Sequence, residues 1–174
     1  MALSTQIATD QDVPFLSEFI NSAYRGDTSR LGWTTEADLL DGQRTDVQSL
    51  KDLISNTNQK LLLFREQDVM VGTVFLQRRE HCAHLGMLTI RPDLQSRGLG
   101  KSILQIAEDW IQTHWKLNHI EMRVIQKREE LIAWYERRGY KTTDRREAFP
   151  IHDPKFGIPK VLDLEFVVLE KKLS

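Results

Sequence analysis

The sequence predicts an α/β (α+β) layer fold, a mixed sheet flanked by helices, in one domain over residues 1–174. Three observations carry this. Two apolar runs, Lys60 to Phe64 and Val69 to Leu76, flank the polar stretch Arg65-Glu66-Gln67-Asp68, as the arms of a hairpin do. An apolar strand at Leu88-Thr89-Ile90 leads through a glycine turn into a segment whose apolar residues recur at three- and four-residue steps. No internal repeat, low-complexity tract or linker marks a second domain, and the length suffices for one substantial core.

Ser4 to Ala8 predicts a short first strand. Thr9 then caps a helix, with Asp12 three residues on, and Val13, Phe15, Leu16, Phe19, Ile20 and Ala23 continue an amphipathic helix that Gly26 ends. Asp27 to Trp33 reads as loop. Thr34 or Thr35 caps a further helical stretch through Leu39-Leu40, which Gly42 interrupts before Val47, Leu50, Leu53 and Ile54 resume it. After the hairpin, Ala83 to Ile90 pairs as the third strand of a meander, and Arg91-Pro92-Asp93 stops it because proline denies the ladder a donor. Leu99, Ile103, Ile106, Ala107, Trp110 and Ile111 form the stripe of the next helix. His119 to Ile125 is a strand, a helix carries Leu131, Ile132 and Tyr135, and Gly139-Tyr140 opens another strand. Thr142 to Lys160, with Pro150, Pro154, Gly157 and Pro159, reads as a long loop of the functional or mobile kind. Val161 to Leu169 is the last strand, with Leu162, Leu164, Phe166 and Val168 on one face.

Lys plus Arg total 24 against 25 Asp plus Glu, so no global field recruits nucleic acid or an anionic membrane. The basic pairs Arg137-Arg138 and Arg145-Arg146 read as solvated faces. Cys82, the only cysteine, excludes an intramolecular disulfide and fits a reducing compartment. It reads as a strand residue, and alternation turns His81 away from it, leaving only His84 on its side as a partner base. The His81-Cys82-Ala83-His84 spacing lacks the second ligand pair of a structural zinc site, and no metal is expected. No apolar run reaches the length of a membrane span, and Asp10 and Asp12 stand where an export signal would be basic, so a cytoplasmic protein is expected.

The turn Gln95-Ser96-Arg97-Gly98-Leu99-Gly100 has the layout of a diphosphate-binding loop. Its glycines remove side chains that would keep a ligand from the backbone, and the first-turn N–H groups, lacking helical partners, point at a bound anion. The pattern G-x-G-x-x-G fails because Ile103 stands at the third glycine. A P-loop fails because Gln95 stands at the first, although Gly100-Lys101-Ser102 imitates its end. The remaining Q-x-x-G-x-G, after a strand and a proline, resembles the acetyl-CoA loop of the GNAT superfamily of N-acetyltransferases. Leu131-Ile132-Ala133-Trp134-Tyr135-Glu136-Arg137-Arg138-Gly139-Tyr140 resembles that family's closing motif, and the two arrive in family order with one strand between them. The residue-level likeness covers Leu85 to Tyr140. The element order agrees over nearly the whole chain with a GNAT-like mixed, mostly antiparallel central sheet. GWTTEADLL and YERRGY also resemble a bacterial branch of general small-molecule acetyltransferases.

The resemblance implies direct transfer of an acetyl group from acetyl-CoA to a primary amine of a small molecule or a peptide N-terminus. It implies that Gln95, Ser96, Arg97, Gly98, Leu99, Gly100 and Lys101 hold the cofactor diphosphate. It also makes Leu88, Thr89 and Ile90 main-chain partners of the pantetheine arm, with an N–H near Leu88 polarising the thioester oxygen. Tyr135 carries over as general acid, since a phenol with an ordinary pKa of about 10 is protonated at neutral pH and can donate to a departing thiolate. Arg128 stands where many relatives place an asparagine on the pantetheine arm; with donors and no acceptor, it must make a different contact. Gly86-Met87 and Arg123 stand where relatives carry acids, so the general base is open between Glu121, His84 and none at all.

Trp33, Arg123 and Phe149 are expected at the acceptor cleft, as are Thr34, Thr35 and Glu36, with His152 and Asp153 from the late loop. Arg123 and Arg128 suit an acceptor bearing a carboxylate or phosphate. Relatives are frequently dimers, so a homodimer is compatible with the resemblance. Two other readings compete. A non-catalytic acyl-CoA-binding sensor would keep Gly98 and Gly100 without needing Tyr135, and a nucleotide-binding enzyme would use Gly98 to Ser102 but lacks an obvious downstream metal-binding acid.

Overall fold

A computed structural model of the chain describes residues 2–174. Its first half runs β1 (Leu3–Ile7), α1 (Val13–Tyr24), α2 (Gly26–Ser29), β2 (Leu40–Asp41), α3 (Val47–Ser55), β3 (Gln59–Glu66), β4 (Val69–Arg78) and β5 (Ala83–Ile90). Its second runs α4 (Leu99–Trp110), β6 (His119–Ile125), α5 (Glu129–Glu136), β7 (Lys141–Ala148), β8 (Ile158–Pro159) and β9 (Glu165–Lys172). Seven strands form one sheet in the order β1-β3-β4-β5-β6-β9-β7, antiparallel at every junction except β5 with β6. The mixed, mostly antiparallel sheet flanked by helices is the fold class the sequence predicts.

Helices cover both faces of this sheet, which is why the buried middle of β3, Leu61 to Phe64, is continuously apolar and most of β4 is buried rather than alternating. Along β3, Leu62 and Phe64 point to one side, packing with Ile103, Leu104 and Ala107 of α4 and with Tyr135 of α5. Leu61 and Leu63 point to the other, against Leu16, Phe19 and Ile20 of α1 and Leu50 of α3. Each such fully buried leucine stabilises the fold by about 1.5–3 kcal/mol. Before α1, the Asp12 carboxylate accepts from the Thr9 N–H at 2.8 Å and from its hydroxyl at 3.1 Å.

Two features of β5 create the site. Phe75 of β4 faces Gly86 and Thr73 faces Thr89, so three steps on β5 oppose two on β4; this is a β-bulge, with Met87 at φ +44°. In addition, β5 pairs with β6 only at Ala83–Ile120 and His84–Glu121, while β6 stays paired with β9 from His119 to Ile125. Beyond His84 the two parallel strands part, and a gap opens in the middle of the sheet.

Several local expectations are corrected. Residues 34–40 form turns leading into β2, which pairs with β8, because Glu36 and Leu40 are drawn inward and tertiary contact overrides helical spacing. Asp46 caps α3, its carboxylate accepting from the Ser49 N–H at 2.7 Å. Gly26, at φ +69°, opens the single turn α2 within the segment expected as loop, since α1 has already ended at Tyr24. The strand expected to open at Gly139-Tyr140 is β7, and it runs on through residues 142–148, expected within the long loop; it is an edge strand paired with β9 alone and exposed along nearly its whole length. The last strand starts at Glu165 rather than Val161, leaving Leu162 in solvent at 83 % exposure. Cys82 lies in the β4–β5 turn, where burial and then Glu121 push its thiol pKa up, away from the thiolate a nucleophile needs. Among the described residues, no helix is long and apolar enough to cross a membrane.

Candidate active site

Two clefts meet where β5 and β6 part, one of about 270 Å3 on the α4 side and one of about 360 Å3 toward the late loop. Tyr24, Leu88, Arg128, Leu131 and Tyr135 line both, and so mark their junction.

The first cleft begins at the start of α4. Gly98 caps this helix at φ +81°, a left-handed conformation that would cost a residue with a side chain about 1–2 kcal/mol. A Cβ at Gly98 would meet nothing within 4 Å, so the backbone, not crowding, demands glycine here, and the space above it is open. At Gly100 a Cβ would lie 3.2 Å from Cζ2 of Trp134, across the cleft wall. No side chain caps α4, leaving its first N–H groups for an anion. Lys101 and Arg138 add positive charge to the same lining. The Arg138 guanidinium carbon lies 3.6 Å from the Trp134 ring centroid and the group donates to the Trp134 carbonyl at 2.7 Å, yet its buried Nε has no partner among the described residues. A buried donor of that kind costs about 1–3 kcal/mol until an acceptor arrives. Uncapped helix start, two cations and an orphaned donor together fit a diphosphate-bearing cofactor such as the acetyl-CoA expected from the sequence.

Gln95 has a different task. Its Oε1 accepts from the N–H groups of Trp33 and Thr34 at 2.9 and 3.2 Å, and its Nε2 donates to Thr34 Oγ1 at 2.7 Å and the Ile90 carbonyl at 3.2 Å. Both ends of the amide are used, so only its main chain remains for a phosphate. A Cβ on Gly32 would collide with this side chain, which is why the segment before Trp33 can come so close. Trp33 thereby faces Trp134, with ring centroids 6.3 Å apart.

At the junction, Tyr135 is 6 % exposed and its hydroxyl has no hydrogen-bond partner among the described residues. Its ring is set edge-on to Trp134 and Tyr140, with centroids at 5.0 and 5.7 Å. Burial, and after it the neighbouring Tyr24, raise its pKa above that of an ordinary phenol, so it stays a proton donor throughout the neutral range. The Tyr24 hydroxyl donates to the Leu88 carbonyl at 2.7 Å, pinning the bulge to α1.

The second cleft is rich in arginine. Glu36 is buried between Arg25, which it pairs with directly, and Arg128 at 2.9 Å. Burial pushes the Glu36 carboxyl up, but Arg128, Arg25 and Arg44 outweigh it and hold the group below the usual carboxylate range. Arg128 also donates to the Thr34 carbonyl at 2.6 Å, and Arg25 to the Phe156 carbonyl at 3.1 Å, tying the late loop to the site. Arg123 pairs with Glu147 at 3.0 Å and lies over the Phe166 ring, beside Phe149. Arg44 rests over the Tyr24 ring, 5.5 Å from its centroid, and makes no salt bridge among the described residues. His84 is buried; that burial, then Arg123, Arg79 and Arg44, push its pKa down to about 3.

The sequence-predicted residues divide accordingly. Trp33, Leu88, Ile90, Gln95, Ser96, Gly98, Gly100, Lys101, Arg128 and Tyr135 line the first cleft, and His84, Arg123 and Phe149 the second. Thr89 is buried with its hydroxyl on the Met87 carbonyl at 2.9 Å, Leu99 packs into the core, and Arg97 is exposed outside the lining. Glu121 lies outside both clefts, at the end of β6 still paired with β5, where it accepts from Arg145 at 2.6 Å and faces Arg79 at 3.7 Å. Tyr24, Arg25 and Arg44 are lining residues that sequence reasoning misses. Tyr24 carries a usable signal, because it continues the Leu16, Ile20 step of α1. A buried arginine carries none.

A family model described as an acetyltransferase (GNAT) domain matches residues 35–149. Three solved structures are similar over nearly the whole chain. The IAA acetyltransferase from Bacillus cereus ATCC 14579 shares 12 % identity at a TM-score of 0.67, covering 99 % of this chain and 100 % of that one. The ribosomal-protein-S18-alanine N-acetyltransferase from Escherichia coli shares 16 % at 0.70, covering 99 % and 95 %. The spermidine/spermine N-acetyltransferase SpeG from Vibrio cholerae shares 15 % at 0.68, covering 98 % and 92 %. At such identities the likeness is one of fold.

Proposed function

The chain belongs to the GNAT acetyltransferase family, and on that premise we propose that it moves an acetyl group from acetyl-CoA directly to a primary amine. The observation that carries this reading is the junction: a phenol unpartnered among the described residues and the bulged strand at Leu88 line both a cleft suited to an anionic cofactor and a second cleft beside it. Neighbours in fold are described as acting on spermidine and on a ribosomal-protein alanine, so the family's reach over amines is wide.

Bound acetyl-CoA supplies an activated acetyl thioester. The amides from Gln95 to Lys101, the first turn of α4, Lys101 and Arg138 hold its diphosphate. Trp33, Leu131 and Trp134 flank the path toward the junction. There the backbone N–H near Leu88 stabilises negative charge on the carbonyl oxygen. The nitrogen–carbon bond forms as the carbon–sulfur bond breaks, Tyr135 gives its proton to the sulfur, and the acylated nitrogen releases its extra proton to solvent, from which the phenol is restored.

The acceptor must arrive unprotonated. Four arginines in the second cleft against the single carboxylate of Glu36 disfavour a bound ammonium ion, so its proton leaves to solvent as the amine docks. His84, with its pKa near 3, has little affinity for that proton, and Glu121 is outside the cleft. No dedicated side-chain base is needed. Thiol release from acetyl-CoA across amino acids, polyamines, aminoglycosides and peptide N-termini, with mass spectrometry of the amide product, tests the reading. Cofactor binding with no acetylated product from any class would favour a sensor instead.

A further inference from the structure

We infer that the acceptor carries an anionic group, a carboxylate or phosphate, beside its amine, and that Arg44 binds it. This rests on the acetyltransferase reading above and specifies its substrate.

The cations of the second cleft are not equivalent. Arg25 and Arg128 share Glu36, and Arg123 has Glu147. Arg44 alone among the arginines of that lining makes no salt bridge among the described residues, although it is half-buried. With Glu36 serving two arginines at once, the cleft keeps an excess of positive charge that centres on Arg44. A polyamine, positive along its length, would meet only a carboxylate already enclosed by two guanidinium groups. An anion meets a free one.

Arg44 is also held ready. The N–H groups of Arg44 and Thr45 donate to Asn21 Oδ1 at 2.7 and 3.1 Å, and Asn21 Nδ2 donates back to the Thr45 carbonyl at 2.9 Å. Its backbone is therefore fixed to α1 on one side, and Asp46 caps α3 on the other. The guanidinium carbon lies over the Tyr24 ring, 5.5 Å from its centroid, and the guanidinium makes no hydrogen bond among the described residues, which leaves its donors for a fork-shaped partner. Tyr24 in turn bonds Leu88 at the junction. The anion site and the position of the attacking amine are thus linked through one aromatic side chain, the arrangement a short amino acid or aminoalkyl phosphate would span.

The test compares kcat/KM for thiol release, at saturating acetyl-CoA, between α-amino acids and their decarboxylated amines, between phosphoethanolamine and ethanolamine, and with spermidine. The expected result is an advantage of at least tenfold for the anion-bearing member of one pair; which pair responds tells carboxylate from phosphate. Arg44→Gln should abolish most of that advantage through KM, and Arg44→Lys should keep part of it. Acetyl-CoA titration of the tryptophan fluorescence verifies that Arg44→Gln is folded, since Arg44 lines only the second cleft. A preference for spermidine or for neutral amines, or an advantage unchanged in Arg44→Gln, overturns the inference. If no amine releases thiol, the transfer reading fails, and calorimetry with the same compounds still decides the anion site. Anion-bearing compounds that bind the native protein and not Arg44→Gln support it; binding that ignores the substitution, or no binding, overturns it.

Discussion

Tyr135 and Gly98 work for opposite reasons, one by its chemistry and one by the lack of a side chain. Because burial and Tyr24 raise the Tyr135 pKa, the phenol remains protonated well into the alkaline range. Turnover at saturating substrates should therefore show no loss between pH 7 and about 9, where an ordinary phenol near 10 would begin to ionise. A decline across that interval in the native protein, absent in Tyr135→Phe, would contradict the assignment. Gly98 is required by its left-handed φ, and no atom obstructs a side chain there. Gly98→Ala should thus cost about 1 kcal/mol of stability and Gly98→Asn less, because asparagine tolerates that conformation. Equal losses in urea unfolding would locate the strain elsewhere.

Among elements, the bulge of β5 and the 32–34 segment stand out as parts tied down by side chains from elsewhere in the chain. Tyr24 pins one and Gln95 the other. Replacing Gln95 with alanine removes four hydrogen bonds and frees Trp33 from its position opposite Trp134, so acetyl-CoA affinity should fall on the order of tenfold while the sheet stays intact. Unaltered affinity measured by fluorescence titration would mean the segment is held by other contacts. The same elements explain what the sequence makes legible. β5, β6 and α4 can be read directly, since their apolar residues alternate or recur at helical steps and a proline and two glycines punctuate them. Of β7 only the start can be read, at Gly139-Tyr140, because an edge strand reading KTTDRREA has no buried face to leave an alternating pattern that would show its length. The glycine loop is legible through its spacing, and Tyr135 through the family resemblance. The Arg25–Glu36–Arg128 cluster is not, as nothing local tells a buried charge from a solvated one.

On the scale of the whole molecule, burying a histidine among arginines ties stability to pH. His84 has its pKa pushed down to about 3 by burial, then by Arg123, Arg79 and Arg44, against about 6.5 when unfolded. Between those values the unfolded chain binds a proton that the folded one refuses. Stability is therefore complete above about pH 6.5 and declines as pH falls toward 3, by up to about 1.4 kcal/mol per pH unit. The thermal midpoint should drop between pH 6.5 and about 5.5, before ordinary carboxylates titrate, and His84→Gln should flatten that slope. Parallel slopes in the two proteins would contradict the burial argument. The energetic asymmetry has a structural origin. The sheet splits beyond His84 and Glu121, and the gap gathers the arginines, the phenol and the helix start around two adjoining clefts.

Whether the junction of those clefts brings thioester and phenol together is tested most directly by measuring kcat and the acetyl-CoA dissociation constant of Tyr135→Phe beside those of the native protein. The account predicts a fall in kcat on the order of 100-fold with the dissociation constant unchanged within twofold. Native turnover in Tyr135→Phe, or a loss of affinity that matches the loss of rate, would contradict it.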